Sequence, residues 1–142
     1  MPKTETNHAI ENAKAHIENM REIFAGIAAL EDEEGPESVM IDHEAFPDAD
    51  ALRERIQEIP LSVMVRSDWQ DPNECLNAAE FEILLSTGGP ALRICGDLDE
   101  HRQPTRACMQ WQDWGTPWTD YFEPGCGDTL LEFASHFYFG EG

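Results

Sequence analysis

Three places in this sequence hold residue types that could do chemistry. In "MIDHEAF", Asp42, His43 and Glu44 stand side by side, a metal-ligand set in kind. Neighbours along a strand or helix point in different directions, so only a loop would gather them. Cys126 and His136 would make a thiolate–imidazolium pair only where the fold brings them together. "STGGPA" is Gly-rich, but it lacks the Lys and the following helix of a phosphate cradle and suits a hairpin turn. No G-x-S-x-G or H-E-x-x-H occurs, and His8, His16, His43, His101 and His136 share no metal-ligand spacing. Cys75, Cys95, Cys108 and Cys126 are widely spaced, without a C-x-x-C pair, and read as four buried free thiols of a reducing compartment. Nothing here makes a case for an enzyme, a cofactor or a metal site.

The charge pattern says more. The chain has 142 residues, 29 of them acidic against nine Lys and Arg, for a formal net charge of −20. Such a chain repels nucleic acid and anionic membranes, and the partner it suits is a strongly basic protein. No Lys or Arg occurs from Glu22 to Leu52. Within that span Glu31, Asp32, Glu33, Glu34, Glu37, Asp42, Glu44, Asp48 and Asp50 form the candidate partner-binding surface. Duplex DNA presents roughly one charge per 1.7 Å of axis, and closely spaced carboxylates imitate that field. A second span without Lys or Arg, from Ala107 onward, carries Asp113, Asp120, Glu123, Asp128, Glu132 and Glu141. The other reading of this acidity is solvation alone, in a plain structural protein of a salt-adapted host; Lys3 and Lys14 are the only lysines.

Three of the four Trp residues lie in "CMQWQDWGTPWTDYF". Trp111 is in phase with Ala107 and Met109 and is assigned to the core. Trp114 is out of phase. Thr116-Pro117 has the form of a helix start, and one helical turn would gather Trp118, Tyr121 and Phe122 before Pro124 stops it. Trp114, Trp118 and Tyr121 are candidate aromatic anchors for a partner. Alternatively they line a site on which a small aromatic ligand stacks, in a ligand-binding or regulatory domain.

The elements that must position these residues follow from periodicity. Thr6 to Leu30 reads as one helix, with Ile10, Ala13, Ile17, Met20, Phe24 and Ile27 as its apolar stripe. The stripe suits packing on the rest of the domain, with a coiled-coil seam, and so a homodimer, as the other use. "EDEEGPE" ends it, and "SVMIDHEAF" is a short apolar segment of uncertain type. "DADALRERIQEI" is a second helix, capped by Asp48 or Asp50, stopped before Pro60, and buried through Leu52, Ile56 and Ile59.

From Pro60 the period becomes two. "LSVMVRS" buries Leu61, Val63 and Val65, "EFEILLS" buries Phe81, Ile83 and Leu85, and "ALRICGDL" buries Leu92, Ile94 and Leu98. A Gly88-Gly89 turn pairs Leu85 with Leu92, Ile83 with Ile94 and Phe81 with Gly96, and sets Glu82 diagonally across from Arg93 on the outer face. After the polar loop "DEHRQPT" comes a fourth strand, "RACMQWQDW". Asp128 caps a last helix that buries Leu130, Leu131, Ala134 and Phe137. The expected fold is α+β: N-terminal helices, a four-stranded antiparallel β-meander, and a C-terminal helix packed on one sheet face. It forms a single domain over residues 1–142, with a helical acidic part over 1–59 and the sheet and last helix over 60–142. No run of about 18 apolar residues and no signal-type apolar core occurs, so a cytoplasmic protein is expected.

The segments "EFEILLSTGGPALRICGDLDEHRQPTRA", "QWQDWGTPWTDYF" and "LLEFASHFYFGE" resemble small, largely uncharacterised acidic proteins carried by prophages, plasmids and other mobile elements of bacteria. The resemblance covers about Pro60 to Glu141, and its most specific part is Gln112 to Thr119. It carries over no catalytic residue. It implies the cytoplasm of a bacterial host and a role against host defence, of anti-CRISPR or anti-restriction type, in which a DNA-mimicking surface binds a nucleic-acid-binding complex.

Overall fold

The computed structural model of this protein describes residues 8–67, 69, 71–72, 78–87, 91–113 and 117–139. The first helix, α1 (His8–Glu31), buries Ala9, Ala13, Ile17, Met20 and Ile23. The expected stripe ran through Ile10, which is 40% exposed, and missed Ile23. Phe24, Ile27 and Leu30 lie on the flank of the buried line, packed against the core. The arc is wide because α1 meets a second helix on one side and the sheet and last helix on the other.

"SVMIDHEAF" resolves into a hairpin of β1 (Val39–Ile41) and β2 (Glu44–Phe46), with Ile41 paired to Glu44. Asp42 and His43 form its two-residue turn, with φ of 52° and 67°. Two successive positive φ values mark the turn type that matches strand twist, and Asp and His are among the side chains that tolerate it best. Ile41 and Phe46 reach the core from this hairpin. Helix α2 (Ala49–Glu58) follows, and the Asp48 carboxylate accepts the Ala51 N–H at 2.8 Å as its cap. Leu52 and Ile56 are fully buried, as the sequence pattern requires, and Ile59 is partly buried.

The main sheet is antiparallel and has five strands in the order β3 (Ser62–Ser67), β4 (Ala78–Ser86), β5 (Ala91–Leu98), β6 (Pro104–Gln112) and β7 (Thr119–Tyr121). The fold is therefore α+β, as expected, but the four-stranded meander gains a fifth strand. Thr119 to Tyr121, expected as a helical turn, pairs with Met109 to Trp111 instead. The stretch between Pro117 and Pro124 is too short to nucleate a stable helix, and its Thr and Tyr suit a strand that satisfies the open edge of β6.

Phe81 pairs with Gly96 and Ile83 with Ile94, as the turn register requires. The third expected pair is displaced: a bulge after Leu84 sets Ser86 against Leu92, although Leu85 stays buried. The Gly88-Gly89 turn itself lies outside the described residues. Strand β3 departs most from its pattern. Leu61, Val63 and Val65 are 61%, 36% and 43% exposed. β3 is the edge strand, paired with β4 alone among the described residues, while α1 and the last helix cover β5 and β6.

The last helix, α3 (Cys126–Ala134), starts one turn earlier than expected. Gly125, at φ 79°, is its cap residue, and Asp128 lies inside the first turn rather than capping. Phe133 joins Leu130 and Ala134 as fully buried, whereas Leu131 and Phe137 are partly exposed. One core runs from Ala13 to Phe139, so the helical part and the sheet part share it. The described helices include none long and apolar enough to cross a membrane.

Candidate functional site

All nine carboxylates of the candidate surface are exposed: Glu31, Asp32, Glu33, Glu34, Glu37, Asp42, Glu44, Asp48 and Asp50. Two contacts show how the fold gathers them. Asn19 Nδ2 donates to Asp42 Oδ2 at 2.7 Å, so the hairpin turn lies beside the middle of α1. Arg53 donates to Glu31 and, at 2.9 Å, to Asp50, so the start of α2 lies beside the end of α1. From Asn19 to Glu31 the helix advances about 18 Å at its usual rise, so the two contacts stand at separate points along α1.

Local roles occupy some of these groups. Asp48 caps α2, Asp32 accepts the Glu34 N–H at 3.0 Å, and Arg53 partly neutralises Glu31 and Asp50. Among the described residues no basic side chain pairs with Glu33, Glu34, Glu37 or Glu44. The last turn of α1 holds no basic residue either. Carboxylates there face the negative end of the helix dipole, at a cost of about 0.3–1 kcal/mol each when nearest.

The aromatic anchors divide. Trp114 lies outside the described residues. Trp118 is partly buried, and the Arg93 guanidinium stacks over its ring at 4.1 Å from the centroid. Tyr121 is not an exposed anchor. It packs against the core, and its hydroxyl donates to Glu123 Oε1 at 2.7 Å. Burial and the Glu123 charge push the Tyr121 hydroxyl up to about 12. Trp111 packs against the core, as parity requires. Among the described residues of this segment the exposed aromatic is Phe122, at 79%.

The outer sheet face is a polar ladder. Arg93 donates to Glu82 Oε2 at 2.6 Å and to Gln110 Oε1 at 2.7 and 2.9 Å. Gln110 Nε2 in turn donates to Asp120 Oδ1 at 2.8 Å, so the chain of bonds crosses β4 to β7. The Glu82–Arg93 contact is the one that hairpin register anticipates. A cleft of about 420 Å³ lies on this face, lined by Met64, Arg66, Glu82, Arg93, Cys95 and Arg106 among others. It is no anion site, because Arg66, Arg93 and Arg106 already face Glu80, Glu82 and Asp97.

Sequence reasoning missed one feature here. Cys95 and Cys108 are directly opposed on β5 and β6, with their Sγ atoms 3.6 Å apart, and both are partly exposed. Strand parity places both on the outer face, since each alternates with core residues; only their mutual register was missing. Cys126 alone among the described thiols is buried. Its sulfur accepts the Glu123 N–H at 3.4 Å, and the His136 ring stacks on Phe24, so each is engaged elsewhere. Asp42 and His43 make a turn and Glu44 opens β2, and no cluster of three metal-binding side chains occurs among the described residues. No protein-family model, curated protein or solved structure matches the chain.

Proposed function

We propose that this protein is a non-catalytic inhibitor whose acidic face enters a basic, nucleic-acid-binding groove of a partner and competes with DNA or RNA there. The observation that carries this reading is the set of nine exposed carboxylates between Glu31 and Asp50, with Asp42 held beside Asn19 and Glu31 beside the start of α2. Its placement also supports the reading. Glu33 and Glu34, without a basic partner among the described residues, stand just past the negative end of α1, where carboxylates oppose helix stability rather than add to it. CRISPR effectors hold guide and target in positively charged channels and are the first class to test, with restriction enzymes second. In this reading the chain joins the small acidic inhibitors of bacterial mobile elements and acts in the host cytoplasm.

The experiment is competition for DNA. Excess protein should displace labelled DNA from the effector at low salt, followed by fluorescence anisotropy. Its apparent affinity should fall at least about a hundredfold between roughly 50 and 200 mM salt, as several ion contacts are screened. Replacing Glu33, Glu34, Glu37 and Glu44 together by Lys should weaken inhibition at least about tenfold, because each lost ion contact is worth a measurable share. These four have no basic partner among the described residues, so the variant should keep its fold. DNA binding untouched by excess protein across both effector classes sinks the proposal.

A further inference from the structure

The paired thiols on the outer sheet face stand apart from the acidic tract and have no part in the reading above. We propose that Cys95 and Cys108 are a redox site that forms a reversible cross-strand disulfide by exchange with small-molecule disulfides of the glutathione type. Directly opposed residues of antiparallel strands have Cα atoms about 4.5 or 5.5 Å apart, and both values lie within the range that disulfides span. The sulfurs are already in contact at 3.6 Å, so closing the bond needs only side-chain rotation and a small strand approach. Opposed Cβ atoms sit about 4.5–5.5 Å apart, somewhat wider than the usual disulfide spacing of about 3.8 Å. The bond therefore forms under mild strain, and strained disulfides reduce readily.

The surroundings assign the two roles. Cys108 faces Cys95 on β5, Arg106 on its own strand and Asp120 on β7, while Cys95 has Arg93 on its own strand and Glu82 opposite it on β4. The two sulfurs share a hydrogen bond in which either can donate, and Arg106 Nη1 lies 3.7 Å from the Cys108 sulfur alone. The hydrogen bond with Cys95 and the Arg106 charge outweigh burial and Asp120, and hold the Cys108 thiol at about 6. Cys95, its partner in that bond, is pushed well above the ordinary thiol range. One proton is thus shared between two sulfurs, and Cys108 is the nucleophile. Its thiolate attacks one sulfur of the small disulfide, and the S–S bond breaks to release a first thiolate. Cys95 loses its proton to solvent or to that leaving thiolate and attacks Cys108 in the mixed disulfide, releasing the second. Two electrons pass from the protein thiols to the small disulfide, which leaves as two thiols.

The test uses the full chain and oxidised glutathione. Intact mass should show a product lighter by two hydrogens, peptide mapping should link Cys95 to Cys108, and dithiothreitol should restore both thiols. Cys95→Ser should instead trap glutathione on Cys108, because no resolving thiol remains. Cys108→Ser should react at least about tenfold more slowly, as its remaining thiol lacks thiolate character. A wild-type chain that keeps all its thiols under oxidised glutathione, or that links Cys75 or Cys126 in preference, overturns the proposal, and neither result depends on a variant folding.

Discussion

Arg21 ties three segments together with one guanidinium. It donates to Thr129 Oγ1 at 3.2 Å, to Glu123 Oε2 at 2.7 Å and to the Pro124 carbonyl at 3.1 Å. The Glu123 carboxylate, 17% exposed, is thereby held between Arg21 and Tyr121. Burial opposes its ionisation, but the hydrogen bonds from Tyr121 and Arg21 win, and its pKa lies below the ordinary 4.5. A carboxylate with a depressed folded value contributes stability that is complete above the unfolded value and lost as pH falls through the folded one. Glu123→Gln should therefore cost about 1–2 kcal/mol at pH 7, the worth of a charge-assisted contact shared with solvent. The gap to wild type should close at an acid pH below the depressed folded value, where both chains are neutral at this position. Urea titrations at the two pH values decide it, and a gap that persists in acid would mean a packing defect instead. None of this was readable beforehand, because Arg21 and Glu123 are far apart in sequence and only the fold joins them. Glu82 and Arg93 were readable, because a two-residue turn fixes their register.

Elements were legible where one face is buried. α1, α2, β4, β5, β6 and α3 all come from hydrophobic period, and Asp48 was legible as a cap from its type and place. The failures have one origin: a pattern states which side chains are apolar, not which neighbour will cover them. Leu61, Val63 and Val65 alternate as a core strand does, yet α1 and α3 pack on β5 and β6 and leave them exposed. β7 was hidden because three residues carry no period and Thr116-Pro117 mimics a helix start. The Cys95–Cys108 contact was hidden because the link between β5 and β6 is not a tight turn, so its register could not be counted. Where elements meet closely, Gly96 is the narrowest point. A Cβ there would lie 1.7 Å from the Arg106 carbonyl oxygen and 2.9 Å from the Phe81 ring. Backbone cannot yield as a side-chain tip does, so Gly96→Ala should cost at least about 3 kcal/mol, at the upper end for overpacking. An unfolding free energy from urea titration lowered by less than a third of that would show that β5 and β6 can part locally.

For the whole molecule the dominant quantity is charge. With a net −20, the acidic tract repels itself as well as any anion. Raising ionic strength from about 0.01 M to about 1 M shortens the screening length from roughly 30 Å to 3 Å. The melting temperature should rise over that interval, and most of the rise should vanish when Glu33, Glu34, Glu37 and Glu44 are made Gln. A melting temperature indifferent to salt would show that the carboxylates are spaced too far apart to feel one another, and would weaken duplex mimicry with it. The same charge bears on the open side of the sheet. Among the described residues β3 pairs with β4 alone, with Leu61 just before it and Met64 and Val65 within it exposed, the kind of edge that other proteins guard with proline, lysine or a covering loop. Here the guard is remote. Two copies approaching edge to edge meet mutual repulsion before their backbones come into reach. Colloidal behaviour then depends on the ions around the molecule as well as on the shape of its rim.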